Sequence, residues 1–165
     1  MERQLARRAA AGEFAAFGEL VRAHEPKLRA LLRRLAGDNA DDLAQETFLA
    51  AWRAASAWKG DGTYFAWLAR IAWRKFLSDK RRERATAALD EAEAVGVDPC
   101  AEQISAIDQA MRRLPERERM AALLCFAEGY SHAEAATIMD LPLGTLKSVV
   151  ARARGGLVRC LEDER

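Results

Sequence analysis

Little in these 165 residues suggests a cross-linked, exported or membrane-spanning protein. The three cysteines, Cys100, Cys125 and Cys160, lie far apart, with no CxxC pair and no matched Cys/His set. An odd, scattered set of thiols argues against a disulfide framework or a zinc site and fits a reducing cytosol. No apolar run approaches the roughly 18 residues that a spanning helix needs. The start, MERQLARRAAAGEF, is charged and has no apolar segment behind it, so a cytoplasmic location without membrane insertion is expected. Glycine and proline are scarce, at ten and four, and no stretch sustains alternation of period two. A chain made of strands and turns is thereby excluded, and an Ala/Leu-rich sequence of this kind is expected to be all-α. HExxH is absent, and no glycine loop of the phosphate-cradling kind precedes a helix. The best acidic cluster, Asp41, Asp42 and Glu46, has no histidine beside it, so no catalysis, metal, cofactor or small-molecule substrate is expected.

What is present is charge, abundant but unevenly placed. Basic and acidic residues nearly cancel over the whole chain, to a net +1. Between Trp67 and Arg84, however, seven Lys/Arg face only Asp79 and Glu83. The stretch YFAWLARIAWRKFLSDKRRER, Tyr64 to Arg84, predicts one long helix with an aromatic beginning and a basic end. Leu68, Ile71, Ala72 and Phe76 fall on its apolar side. Arg70, Arg74 and Arg81 line up on another, beside Trp67, Leu77 and Ser78. Spaced cations can follow a phosphate backbone, and an aromatic among them can stack on an unpaired base. The competing reading is a solvated amphipathic helix with a charged tail.

Upstream, residues 5–35 place Phe14, Phe17, Leu20, Val21, His24, Leu28, Leu31, Leu32 and Leu35 mostly at spacings of three and four. These predict one or two helices that stop at Gly37. Pro26 suits either the first turn of a second helix or a bend, and His24, on the apolar stripe, reads as a core histidine. Residues Asp38 to Asp41 offer capping side chains for a helix through DDLAQETFLAAWRA. Its buried side is predicted to be Ala44, Thr47, Phe48, Ala51 and Trp52. Asp42, Gln45, Glu46, Leu49 and Arg53 are left outward, where a leucine among charges is compatible with a protein partner. The loop from Ser56 to Thr63 carries Trp58, which either packs on the core or helps frame a base pocket, and Lys59.

From Ala85 to Ile104 the composition changes. Asp90, Glu91, Glu93, Asp98 and Glu102 are acidic and nothing is basic, which reads as a flexible linker between two domains. Beyond it, Ile104, Ile107, Met111 and Leu114 predict one helix, and Pro115 opens another with Met120, Leu123, Leu124 and Ala127 inward, closed by Gly129. Ser131 and Glu134 form a capping box for HAEAATIMD, and DLPLG turns into a last helix with Leu146, Val150, Ala153 and Leu157 inward. A short helix, a tight turn and a longer basic helix make a helix-turn-helix, whose second helix enters the major groove when the unit binds DNA.

Three of these stretches together resemble the bacterial sigma factors of the extracytoplasmic-function group. DDLAQETFLAAWRA is similar to the segment that binds the clamp helices of RNA polymerase, and FAWLARIAWRKFLSDKRRER to the helix that meets the melting minus-ten element. LPERERMAALLCFAEGYSHAEAATIMDLPLGTLKSVVARARGGL is similar to the domain that reads the minus-thirty-five element. The resemblance implies a first domain over residues 1–84, a linker over 85–104 and a helix-turn-helix domain over 105–165. Its implied partners are core RNA polymerase, promoter DNA and an anti-sigma factor. Carried onto this chain, it assigns Asp42, Gln45, Glu46, Leu49 and Arg53 to the polymerase. Trp58, Lys59, Trp67, Arg70, Arg74, Ser78 and Arg81 go to the downstream element, and Thr145, Lys147, Ser148, Arg152 and Arg154 to the upstream one. The linker acids would mimic nascent RNA in a polymerase channel. Two positions depart from the pattern: Trp73-Arg74 where relatives often have asparagine after the IAR-like run, and Val149 where they often have arginine. A free-standing helix-turn-helix regulator would account for the last sixty residues but leaves the first half unexplained, and a polymerase-binding inhibitor would have little use for two basic surfaces.

Overall fold

The computed structural model describes residues 1–88 and 105–163, so most of the acidic linker, with Cys100, lies outside the described residues. Among the described residues there are eight α-helices and no strand. They are α1 (Glu2–Ala10), α2 (Phe14–Ala36), α3 (Ala40–Arg53), α4 (Tyr64–Ala87), α5 (Ala106–Arg113), α6 (Glu116–Ala122), α7 (His132–Met139) and α8 (Leu143–Glu162).

The first half packs α1 and α3 on α2 and α3 on α4. Two breaks differ from expectation. The chain separates α1 from α2 at Gly12, whose φ of +91° favours a residue without Cβ. Pro26 instead sits inside α2 and neither starts a helix nor divides one; it is exposed, where water can serve the carbonyl that proline leaves without a donor. At the start of α3 no side chain caps the helix. A 3-10 turn, Gly37–Asn39, runs straight into it, and Asp41 pairs with Arg29 of α2. Thr47, fully buried in α3, is satisfied by donating to the Leu43 carbonyl at 2.7 Å.

In the second half, α6 and α5 pack on α8, and α7 meets both α8 and α4. Ile107 is not on the core side of α5; it is 58% exposed, and Ala110 and Met111 are the buried pair. Ala127 is exposed too, because α6 widens into a π turn, Leu123–Ala127, in which the Glu128 N–H reaches the Leu123 carbonyl five residues back. Gly156 lets α8 lie close to the α5–α6 corner, since a Cβ there would stand 2.6 Å from Leu114 Cδ2.

The apolar core runs continuously from Leu28, Leu32 and Phe76 in the first half to Met120, Leu124 and Leu146 in the second. Arg119 ties the corner where they meet. Its guanidinium donates to the carbonyls of Met111 (3.0 Å), Arg112 (2.6 Å) and Leu114 (3.0 Å), which end α5, and to Leu35 (2.9 Å) of α2. Burial lowers its pKa from the ordinary arginine value, yet a guanidinium stays charged. Arg119→Ala strips four carbonyls of a charged donor and should cost about 2 kcal/mol of stability in urea titration. Arg119→Lys, which has no planar fork, should recover little of it.

Candidate polymerase and nucleic-acid interfaces

Three surfaces follow from how the helices bury their apolar sides. On α3, Leu43, Ala44, Thr47 and Ala51 are buried, which turns Asp42, Gln45, Glu46, Leu49 and Arg53 outward, all exposed. Leu49 is 52% exposed and Phe14, at the start of α2, 74%. Between them an apolar groove of about 750 Å³ is lined by Phe17, Val21, Phe48 and Trp52. The Trp52 ring meets Phe14 edge-on at 5.7 Å and Phe17 at 5.0 Å. Phe48 and Trp52 are therefore only half-buried, and Phe14 joins a surface that the sequence pattern assigned to α3 alone. Asp41 is held by Arg29, and with Arg22, Glu25 and Asp42 also on the groove its rim mixes both charges; Glu46, outside the groove, is held by Lys75 of α4 at 3.4 Å.

The second surface is the outer side of α4. Thr63 caps the helix, its hydroxyl accepting from the Ala66 N–H at 3.1 Å. Tyr64, Phe65, Leu68, Ala69, Ala72, Trp73 and Phe76 go into the core. Trp73 is 1% exposed and stacked on Phe76 at 5.6 Å, so this departure from the family pattern supplies core, and Arg74 beside it points out. Trp67 is half-buried against Tyr64, while Ser78 and Arg81 are exposed; Arg81 has no ion-pair partner among the described residues. Trp58 packs edge-on against Tyr64 at 5.4 Å, with its Nε1 buried and unpartnered, while Lys59 is exposed. Burial of Tyr64, with Glu2 nearby, pushes the phenol up to about 12. His24 lies at the edge of the core, partly buried: its Nε2 is 2.7 Å from Glu2, and its ring is 5.4 Å from that of Tyr64.

Arg70 and Arg74, aligned as expected, are not free. The carboxylate of Asp140, from the turn between α7 and α8, takes Arg70 Nη2 at 2.5 Å and Arg74 Nε at 2.7 Å. Burial works against that charge, but hydrogen bonds from Arg74 and Arg70 outweigh it and hold the carboxyl below its usual range.

The third surface is α8. The Ser131–Glu134 capping box opens α7 as expected. Thr145, Lys147, Ser148, Arg152 and Arg154 are all exposed. Ser148 donates to its own helix at Gly144, 3.2 Å away, and Arg152 is turned towards Glu118 of α6 at 3.1 Å. Val149 is 2% exposed, so this second departure lies in the core and not on the exposed side of α8. No cluster of metal-ligating side chains occurs among the described residues, and no described helix is long and apolar enough to cross a membrane. If Trp73 is core and Trp67 is surface, Trp73→Ala should lose about 3–5 kcal/mol of stability in denaturant titration. Trp67→Ala should leave a cooperative transition close to the parent's.

The comparisons with known proteins agree with this layout. Residues 20–86 match the Sigma-70 region 2 family, and residues 104–155 match Sigma-70, region 4. The ECF RNA polymerase sigma factor SigM of Mycobacterium tuberculosis is 36% identical, over 92% of this chain and 80% of that protein. The RNA polymerase sigma-H factor of Pseudomonas aeruginosa is 31% identical, over 98% of this chain and 94% of that protein. Among solved structures, the sigma factor RpoE of Bartonella quintana, in complex with the anti-sigma factor NepR, aligns with a TM-score of 0.76 at 29% identity, covering 90% of this chain and 98% of that one. CnrH, in complex with the cytosolic domain of CnrY, aligns with a TM-score of 0.71 at 28% identity, covering 99% of both chains. With two sigma-70 regions in order, relatives of this class over nearly the whole length and the same helical framework, the chain belongs to the extracytoplasmic-function sigma factors, the subunits that join core RNA polymerase and direct it to promoters.

Proposed function

We propose that residues 1–84 hold core RNA polymerase and the downstream promoter element, and that residues 105–165 read the upstream element. The observation that carries this reading is the groove on α2 and α3. Leu49 and Phe14 stand exposed at its edges, with Asp42, Gln45, Glu46 and Arg53 around them, on the same half as the cations of α4. An apolar centre inside a polar rim is how a protein interface concentrates its affinity. Polymerase docks there. Arg70, Arg74 and Arg81 follow the opened strand, with Ser78 beside them, and Trp67, Trp58 and Lys59 lie at the end of α4 where an unstacked base would be received. On α8, Thr145, Lys147 and Ser148 face base edges, while Arg152 and Arg154 serve the backbone side.

This assigns no bond-making step to the chain; the active site belongs to the polymerase. The protein works in the cytoplasm, where its partners are, and an anti-sigma factor of the kind seen on RpoE is a fitting inhibitor. The test is run-off transcription by core polymerase plus the full chain on a promoter library, beside core-binding titrations. Leu49→Asp with Phe14→Ala should weaken core binding by ~2 kcal/mol or more, roughly thirtyfold, without unfolding the chain. Lys147→Ala should cost roughly 1–3 kcal/mol and relax preference at one upstream position, whereas Arg154→Ala should weaken all sites and lower the salt slope by about one. Parent-like core binding by the groove variant would place the polymerase surface elsewhere.

A further inference from the structure

The loop over residues 58–62 has little of its own to hold it in one shape. Gly60 and Gly62 both take positive φ, +87° and +74°, and Lys59 and Asp61 are exposed. Trp58 rests edge-on against Tyr64, but its Nε1 is buried without a partner, as is the Tyr64 hydroxyl, so neither polar group pins the loop. Among the described residues, one hydrogen bond ties residues 58–62 to another element: Arg3 of α1 donates from Nη2 to the Gly60 carbonyl at 3.2 Å. The guanidinium lies against the loop backbone, since a Cβ on Gly60 would stand 3.8 Å from Arg3 Nε. On the reading above, in which this loop receives an unstacked base, we propose that Arg3 positions it. The guanidinium holds the Gly60 carbonyl, and with it Trp58 and Lys59, in the place where the base arrives, without itself touching DNA.

A tie of this kind is only as good as its anchor, and α1 is well seated. Ala6 and Ala9, each 3% exposed, sink into a second apolar cluster with Phe17, Leu20, Tyr64 and Leu68, against which Trp58 and Trp67 also pack. The helix contacts the 3-10 turn Ala55–Ala57, from which the loop departs. Glu2, the residue before Arg3, reaches His24 at 2.7 Å, and the His24 ring stands beside that of Tyr64. Two adjacent residues of α1 thus reach two neighbours of Tyr64: Glu2 the histidine, and Arg3 the loop that carries Trp58. A loop with two positive-φ glycines samples many conformers when free, so a tie to a seated helix removes part of the ordering cost that would otherwise oppose base capture. The helix lies before residues 20–86, so the match to Sigma-70 region 2 gives it no role. Its place against the loop gives it one.

The experiment uses the full chain, alone and with core polymerase. Opening is followed by permanganate reactivity of thymines on a promoter recovered from the run-off library and on templates altered at one downstream position each. Arg3→Ala should bind core polymerase like the parent, lower opening on the parent promoter roughly three- to tenfold, and flatten the preference at one downstream position while sparing the others. Arg3→Lys, which keeps a charged donor, should restore most of both. With 5-fluorotryptophan in place of the four tryptophans, the Trp58 fluorine resonance, assigned through Trp58→Phe, should shift or broaden in Arg3→Ala free of DNA, while that of buried Trp73 stays. A merely structural Arg3 would slow opening on every template by the same factor. That result, or parent-like discrimination in Arg3→Ala, overturns the positioning role. An unmoved Trp58 resonance beside a changed preference would make Arg3 a DNA contact and overturns it as well. Trp58→Ala with Lys59→Ala separates the two layers. If that loop variant keeps the parent's preference at every downstream position, the loop is not the base receiver and both readings fall; if it loses the preference and Arg3→Ala does not, only the part given to Arg3 falls.

Discussion

The burial of one side of α4 fixes most of what this protein presents to the outside. Leu68, Ala72 and Phe76, at steps of four, and Trp73 beside them, can enter the core in only one rotation of the helix. That rotation turns Arg74, Ser78 and Arg81 outward together and leaves Arg70 at the boundary. The direction in which the basic strip points is thus a by-product of core packing.

The same side of the molecule had to be made compatible with its own second half. Among the described residues, the ion pairs across the seam each set a cation of the first half against an acid of the second, although the whole chain is almost neutral. Near-neutral composition here hides an uneven placement: residues 1–84 carry 17 Lys/Arg against 11 Asp/Glu, residues 85–104 carry five acids and no base, and residues 105–165 balance nine against nine. Arg119 is the exception in kind. It binds carbonyl oxygens, three at the end of α5 and one at Leu35, and so ties the α5–α6 corner to α2 by geometry as well as by charge.

What could be read from the sequence was whatever depends on period and local chemistry. The buried stripe of α4, the capping box of α7, the inward residues of α8 and the outward set on α3 need only neighbours three or four positions away. Phe14 was missed because its partner, Trp52, is thirty-eight positions later, and only the packing of α2 on α3 creates the groove between them. Asp140 was read as part of a turn, which it is; that its carboxylate meets Arg70 and Arg74 is a fact of tertiary placement. Pro26 misled in the other direction. Local rules end a helix there, but a continuous apolar face from Leu20 to Leu35 against α3 carries the helix through. Ile107 shows the limit of counting apolar residues, since its spacing from Met111 suits a core helix while its side chain lies in solvent.

The wide turn at Leu123–Ala127 holds one residue more than an ordinary helical turn would, and that surplus acts as a rotational offset. Each residue advances a helix by about 100°, so the extra residue shifts the phase at which the chain leaves the helix for the turn at Gly129. Phe126 is thrown outward, 47% exposed, while Glu128 arrives opposite Lys27. Losing a single residue at this place would leave composition, charge and helix content almost untouched. It would nevertheless change which side chain reaches the first half. Chain length here is therefore a setting of alignment between the halves, and closely related proteins that differ by one residue at this turn would carry the same parts in a different register.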